Sequence, residues 1–202
     1  MRPRVLTGIV LGLALAPILA AQGGVSRQDA DRFQAKLVQI VEYGNTAPVK
    51  GAKPVSRHTR VTDAEVNAYL RVHATDQIPV GVMEPSVQAL GDGRVGGRAI
   101  VDLDAVRKSK PRGWMDPMNL LTGRMPVTAS GRVLTKNGTG RFELESAEVG
   151  GVPIPKIVLQ ELLSYYSRTP DNPAGINMDA PFELPSRIRE IQVARGSATI
   201  IQ

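Results

Sequence analysis

The fold class is set by residues 82–104, which read VMEPSVQALGDGRVGGRAIVDLD. Apolar and polar residues alternate on both sides of the glycine-rich triplet 91–93, with the period of two that is typical of a half-buried β-strand. Two alternating runs that flank a Gly-Asp-Gly turn predict a β-hairpin. We therefore expect strands over Val82–Leu90 and Arg94–Asp104, joined by a tight turn.

Two further hairpins are predicted downstream. Met125–Lys136 and Gly140–Val149 flank the sequence Asn-Gly-Thr, and Asn-Gly is a favoured pair for a two-residue hairpin turn. Arg187–Arg195 and Ser197–Ile201 flank a single glycine. The chain is thus expected to build an antiparallel sheet from hairpins, with Val55–Val61 as a short edge strand.

Three helices are predicted around these strands. Arg27–Glu42 has apolar residues at helical spacing after a serine cap, and a capping box at Thr62–Glu65 begins a second, short helix. Lys156–Tyr166 is apolar on most of its circumference, so we expect it to be largely buried. The predicted fold class is α+β: a curved antiparallel sheet of hairpins packed on a long apolar helix, with N-terminal helices.

The start of the sequence has the features of a secretory signal peptide. Two arginines precede an apolar run, Val5–Leu19, which is followed by small residues. The run is about 15 residues long, which is short for a transmembrane helix, and an uncleaved N-terminal anchor is the alternative. We predict a signal peptide over 1–21, a periplasmic or secreted location, an amphipathic helix and linker over 22–54, and a single α+β domain over 55–202.

Composition limits the classes of partner. The 202 residues include 25 Lys and Arg against 19 Asp and Glu, no cysteine, and 4% aromatic residues. No basic stripe is interleaved with aromatic residues, so a nucleic-acid partner is not expected. A mild positive charge instead suits peripheral contact with an anionic membrane. Without cysteine, the chain has neither disulfides nor thiolate metal ligands.

One face of the predicted sheet is apolar but carries small side chains. Such a face leaves space above it unless a neighbouring element fills that space. The apolar helix would fill it as ordinary core, and a hydrophobic ligand between sheet and helix is the functional alternative. The candidate cavity residues are Val95, Ala99, Val101, Leu103, Val127, Ala129, Val133, Phe142, Leu144, Val158, Leu159, Leu162 and Leu163.

A segment between the first two hairpins has the composition of a membrane-contact loop. Basic residues precede the single tryptophan, and methionine and leucine follow it. Such residues are used at bilayer interfaces, where the indole lies at the headgroup level. The alternative is a short helix that begins near Asp116 and packs inward. The predicted membrane-contact residues are Arg112, Trp114, Met115 and Met118.

No catalytic or metal-binding group is predicted. His58 and His73 have neither ligands at metal spacing nor triad partners nearby in sequence, and we expect them at a strand edge and at a helix end. Asp102 and Asp104 share a strand face, where a cation site or an acid–base pair is the alternative to simple solvent exposure. We therefore predict no cofactor and do not expect an enzyme.

Three short motifs resemble the tubular lipid-binding (TULIP, or BPI-like) superfamily. Thr62–Leu70 reads TDAEVNAYL and is similar to the T-x-x-E-[VIL]-N-x-Y-L helix start of small exported bacterial proteins of this type. Gly150–Pro155, before an apolar helix, is also similar, as is Phe182–Pro185 followed by Ile188–Ile191. The likeness covers most of residues 60–202. The chain departs from the better-known members in having one such unit where they pair two.

The resemblance implies a long helix wrapped by a curved antiparallel sheet, with an acyl chain or other hydrophobic ligand between them. A single unit implies a half-tube or a homodimer. The leading hypothesis is an exported protein that binds a lipid or other hydrophobic small molecule, as an intermembrane carrier or an envelope maintenance factor. The alternative is an envelope adaptor or structural module that binds another protein through a sheet edge.

Overall fold

The computed structural model describes residues 26–46, 55–109 and 122–202. The predicted signal peptide and the predicted membrane-contact residues Arg112, Trp114, Met115 and Met118 lie outside these ranges. The helices are α1 (Arg27–Asn45), α2 (Asp63–Val72), α3 (Leu103–Ser109) and α4 (Lys156–Tyr166). The strands are β1 (His58–Thr62), β2 (Val82–Gly91), β3 (Arg94–Asp102), β4 (Arg124–Lys136), β5 (Thr139–Val149), β6 (Val152–Pro153), β7 (Phe182–Glu183), β8 (Glu190–Ala194) and β9 (Ser197–Ile201).

The strands form two antiparallel sheets. The large sheet has the order β2-β3-β4-β5-β6, with β7 also paired to β5, and the small sheet has the order β1-β9-β8. The α+β class and a large antiparallel sheet built from hairpins are confirmed. Curvature of this sheet around a long apolar helix is not confirmed.

Helix α4 differs most from its prediction. It contacts β5, but Ile157 is 78% exposed and Val158 is 40% exposed. The predicted burial of this helix is therefore not confirmed. The apolar circumference of α4 predicts that it packs on the apolar face of the large sheet. Instead, α2 and the small sheet cover part of that face.

Two tight turns explain the registers of the hairpins in the large sheet. Asp92 and Gly93 have φ angles of 54° and 76°, and Asn137 and Gly138 have φ angles of 53° and 84°. Two consecutive positive φ angles are those of a type I′ turn, whose twist matches the twist of the flanking strands. The sequence pairs Asp-Gly and Asn-Gly tolerate this conformation, and both predicted turns are confirmed.

The strand after the first turn ends earlier than predicted. β3 ends at Asp102, and Leu103 begins α3 instead of continuing the strand. Asp102 Oδ1 accepts a hydrogen bond from the backbone N–H of Ala105 at 2.9 Å, as the cap of a helix N-terminus does. The apolar alternation continues through Leu103, which is why the pattern predicted strand there.

The small sheet joins distant parts of the chain. β1 pairs with β9 along its whole length, and β8 pairs with β9 as the predicted final hairpin. β8 also contacts the large sheet, because Thr135 Oγ1 accepts from the Ile191 N–H at 2.8 Å and donates to the Ile191 carbonyl at 3.1 Å. The Thr135 hydroxyl thus makes the hydrogen bonds that a neighbouring strand would make with Ile191 at the outer edge of β8.

Helix α2 is fixed to the edge of the large sheet by two side chains. Asn67 accepts from the Val87 N–H at 2.7 Å and donates to the Val87 carbonyl at 2.8 Å, so its amide replaces a neighbouring strand. Asp63 Oδ1 accepts from the Ala89 N–H at 3.0 Å, and the Ala89 carbonyl accepts from the Gly196 N–H at 2.9 Å. The β2 edge is thereby closed to a further strand at these residues.

Half of the buried apolar residues of the described ranges are alanines. Within the described ranges no large side chain is fully buried. The buried apolar residues are Ala30, Ile40, Val61, Ala68, Ala74, Ala89, Leu103, Ala147, Ile188 and Ile201. Many apolar side chains of the large sheet are only half-buried, so much of its apolar surface is only partly covered. No helix in the described part of the chain has both the length and the hydropathy needed to cross a membrane.

We expect Asn67→Ala to lower the free energy of unfolding by about 1–2 kcal/mol, because both hydrogen-bonding groups of Val87 lose their partner. Urea unfolding followed by circular dichroism measures the change. Arg71→Ala is the control, since Arg71 is an exposed residue of the same helix. Equal losses in the two variants would contradict the role assigned to Asn67.

Candidate functional site

One face of the large sheet is apolar from β2 to β5. Residues that lie directly opposite each other in neighbouring strands point to the same face. The registers therefore place eight of the predicted cavity residues on this face: Val95, Ala99, Val101, Val127, Ala129, Val133, Phe142 and Leu144. All eight are half-buried. The opposite face carries charged side chains, such as Arg94, whose Nε lies 2.8 Å from Glu145 Oε2.

A cavity of about 420 Å³ lies over part of the apolar face. The large sheet forms its floor, and α2 with the small sheet forms its roof. The floor includes Val87, Val95, Gly97, Ala129 and Phe142, and the roof includes Val61, Val66, Val193 and Ala198. Nearly all of these side chains are apolar, so the cavity suits a hydrophobic molecule better than a polar one.

The structure brings together some of the predicted site residues and separates others. Val95, Ala129 and Phe142 line the cavity. Val133 lines a second cavity, of about 640 Å³, between the β4–β5 turn and β8. The remaining strand residues of the apolar face, which do not line the first cavity, are Ala99, Val101, Val127 and Leu144.

Five predicted residues lie on helices away from this cavity. Leu103 is buried at the start of α3. The other four are Val158, Leu159, Leu162 and Leu163, which belong to α4 beside β5.

The roof was not predicted from the sequence. Val66 lies on the apolar face of the second predicted helix, and this was the available signal. Val61 comes from β1, whose pairing with β9 joins residues more than a hundred positions apart. Val193 and Ala198 belong to the predicted final hairpin, which this pairing connects to Val61. Local periodicity carries no information about such a pairing, so their position over the sheet could not be inferred.

Two glycines of the apolar face have different surroundings. A Cβ atom at Gly131 would lie 2.4 Å from the Phe142 ring and 2.5 Å from the Glu143 carbonyl oxygen, so packing requires glycine there. A Cβ atom at Gly97 would meet no heavy atom closer than the Ser86 carbonyl oxygen, at 3.9 Å. Gly97 therefore borders open space, and that space belongs to the cavity.

An ion pair between a buried carboxylate and a half-buried lysine holds the roof helix in place. Glu65 is 5% exposed, and Lys36 Nζ of α1 lies 2.7 and 2.8 Å from its two carboxylate oxygens. Thr62 and Glu65 also form the predicted capping box of α2, which is confirmed. Burial raises the pKa of Glu65, but hydrogen bonds from Lys36 and from the Thr62 N–H together outweigh it. The pKa of Glu65 therefore lies below its usual value.

The prediction that Asp102 and Asp104 share a strand face is wrong, because β3 ends at Asp102 and Asp104 lies in α3. Asp102 caps α3 and its Oδ2 lies 3.4 Å from Arg124 Nε, while Asp104 Oδ2 accepts from the Gly123 N–H at 2.9 Å. The hydrogen bond from the Ala105 N–H is the main cause that lowers the pKa of Asp102. Both carboxylates thus hold α3 and the start of β4.

The histidines lie where the sequence placed them. His58 is exposed at the first residue of β1, and His73 ends α2, where its Nε2 lies 2.7 Å from Asp31 Oδ1 of α1. The contact with Asp31 was not predicted. Across the described residues, no three His, Asp or Glu side chains lie close enough to hold a metal ion.

Comparison with known proteins gives no family. No protein-family model matches the chain, and no curated protein matches it. Among solved structures, the chain is similar to the crystal structure of a lipopolysaccharide binding protein, at 14% sequence identity and a TM-score of 0.23. The match covers 78% of this chain and 45% of that chain. A TM-score this low does not establish a shared fold, so the resemblance to tubular lipid-binding proteins stays a prediction. The fold and the cavity define an α+β protein with a partly enclosed apolar space between two sheets.

We expect Glu65→Gln to lower the free energy of unfolding by about 2 kcal/mol at pH 7, because a neutral amide replaces the carboxylate that pairs with the Lys36 ammonium group. Since the pKa of Glu65 is lowered in the folded protein, its contribution is present above the usual value of 4.5 and is lost as the pH falls through the folded pKa. The gap between wild type and variant should therefore shrink below pH 4.5.

Urea unfolding at a series of pH values tests this. Glu161→Gln is the control, because Glu161 is exposed on α4. A gap between wild type and Glu65→Gln that stays constant under acidic conditions would rule out the proposed ion-pair contribution.

Proposed function

We propose that the protein is exported and binds a hydrophobic molecule, such as the acyl chain of a lipid, in the cavity between the two sheets. The observation that carries this proposal is the open space above Gly97 on an apolar, half-buried sheet face. The cavity volume of about 420 Å³ lies in the range of sites for small ligands. The signal-like N-terminus supports export, and the motifs that resemble tubular lipid-binding proteins agree with a lipid as the ligand.

Burial of apolar surface would supply the binding energy. Each Å² of apolar area removed from water contributes about 25 cal/mol. On binding, the ligand and the residues that face it, which are the partly exposed valines and the Phe142 ring, would both be shielded from water. This mode of binding needs no charged group to hold the ligand. Asp102 and Asp104 have structural roles, so we propose no reaction for them.

A protein adaptor that adds a strand to the sheet is the second candidate. The β2 edge is unsuitable for this, because Pro85 has no N–H and both groups of Val87 and of Ala89 already have partners. The outer edge of β5 is better suited to pair with a strand of a partner protein. β7 pairs with it at Thr139–Gly140 and β6 at Glu148–Val149, which leaves the stretch between them without a strand partner among the described residues.

We expect Gly97→Leu to weaken binding of the hydrophobic fluorescent probe N-phenylnaphthylamine by roughly tenfold or more, because the added side chain occupies the cavity. Its Cβ atom has room, so the variant should keep its fold. Fluorescence titration measures the dissociation constant, and circular dichroism checks the fold. Glu143→Leu is the matched control, since it adds a leucine to the opposite face of the same sheet, where Glu143 is exposed.

Native mass spectrometry of the protein purified from cells, with lipid extraction, identifies a bound molecule directly. A lipid-free protein that takes up no probe would refute the proposed function. If probe binding is unchanged in Gly97→Leu, a ligand binds elsewhere and the cavity is not the site. A protein that copurifies stoichiometrically, together with an empty cavity, would instead support the adaptor.

A further inference from the structure

Three arginines gather around the end of α1, at the edge of the small sheet. The guanidinium carbon of Arg187 lies 4.7 Å from the centre of the Tyr43 ring, and that of Arg57 lies 5.7 Å from the same centre. Arg189 is tied to the residue before Arg57, since its Nη2 donates to Ser56 Oγ at 2.8 Å. We call Arg57, Arg187 and Arg189 the arginine cluster.

Each guanidinium donates to oxygen atoms other than those of Asp and Glu side chains. Arg57 donates to Gln39 Oε1 at 3.0 Å, Arg187 donates to the Tyr43 carbonyl at 2.5 Å, and Arg189 donates to the Gln202 carbonyl at 3.0 Å. A guanidinium has five N–H donors in a rigid fork, so most donors of the cluster remain available. Arg187 and Arg189 are exposed to solvent.

Within the described residues, no Asp or Glu side chain balances the charge of the cluster. None of its three members forms an ion pair with an Asp or Glu side chain of the described residues, although arginines elsewhere do so, such as Arg94 with Glu145. The nearby Glu190 accepts a hydrogen bond from Gln192 instead. The residues that connect Thr46 to Val55 contain no Asp or Glu in their sequence. Arg57 and Arg187 contact the same Tyr43 ring, so their like charges repel one another, and a bound anion would reduce that repulsion.

We infer that the arginine cluster binds a phosphate group, either of an anionic lipid headgroup or of free phosphate. Arginine forks match phosphate oxygens in a bidentate manner, and cation–π contact with Tyr43 orients two of them in advance. This site goes beyond the proposed function: it needs no ligand in the cavity, and its residues do not line the cavity.

Two measurements on the full mature chain test the inference. Cosedimentation compares vesicles of phosphatidylglycerol and phosphatidylcholine with vesicles of phosphatidylcholine alone, and calorimetry measures binding of inorganic phosphate. We expect Arg187→Gln with Arg189→Gln to weaken the binding by about tenfold or more. Arg132→Gln with Arg141→Gln is the matched control, because it removes the same charge from exposed positions of the large sheet. We expect this control to change binding by less than about twofold.

The outcomes separate the sources of the phosphate. Binding to anionic vesicles alone identifies a lipid headgroup, and binding to inorganic phosphate identifies a site for the free anion. Absence of both, or equal weakening in the cluster variant and in the control, overturns the inference. Arg187→Lys with Arg189→Lys keeps the charge and tests the fork if the glutamine variant unfolds: it should weaken phosphate binding, and unchanged binding would contradict a bidentate site. Binding of N-phenylnaphthylamine should not change in any of these variants, so failure of this site is distinct from failure of the cavity.

Discussion

The architecture depends on which groups form hydrogen bonds with the backbone N–H and C=O groups at the edge of β2. A strand at the edge of a sheet exposes N–H and C=O groups that need partners, and another strand is the usual partner. Here Asn67 and Asp63 of α2 take those positions, and the Gly196 N–H completes the set. The helix and the turn of the small sheet are therefore anchored to the rim of the large sheet through polar bonds.

This mode of attachment accounts for the cavity. A roof that is held by packing onto a sheet face must lie close to that face, whereas a roof that is held at the rim can stand away from it. The capping box fixes the start of α2, and the Glu65–Lys36 pair ties α2 to α1. The small residues Gly97 and Ala129 below it then widen the gap instead of drawing the roof inward. Gly131 shows the contrasting case, because Phe142 already fills the space above it.

Much of the local structure could be predicted from the sequence, because its signals are local. The Asp-Gly and Asn-Gly turns, the period of two in β3 and β4, and the Thr62–Glu65 capping box each act within a few residues. The pairing of β1 with β9 could not be predicted, since register between distant short strands leaves no periodic signal. The same gap explains why the prediction for α4 is not confirmed: its apolar residues predict a position on the sheet face, and the sequence does not show that α2 and the small sheet occupy part of that face.

Part of the site was predicted for the same reason. The apolar face follows from alternation, so Val95, Ala129 and Phe142 could be named from the sequence alone. The roof residues Val61 and Val193 could not, because their position depends on tertiary pairing. Tyr43 and the arginine cluster were also missed: the three arginines are spread over more than a hundred positions and form no charge run.

The small sheet connects the two proposed sites. β1 and β8 run in the same direction, since both are antiparallel to β9. Arg57 and Arg189 each lie just before the start of one of these strands, and Val61 and Val193, four residues further along, reach the cavity. At a rise of about 3.3 Å per residue, the arginine cluster and the cavity roof are separated by about 13 Å. An anionic surface bound at the cluster would therefore lie within one lipid length of the apolar space, and the rigid strands would fix that spacing.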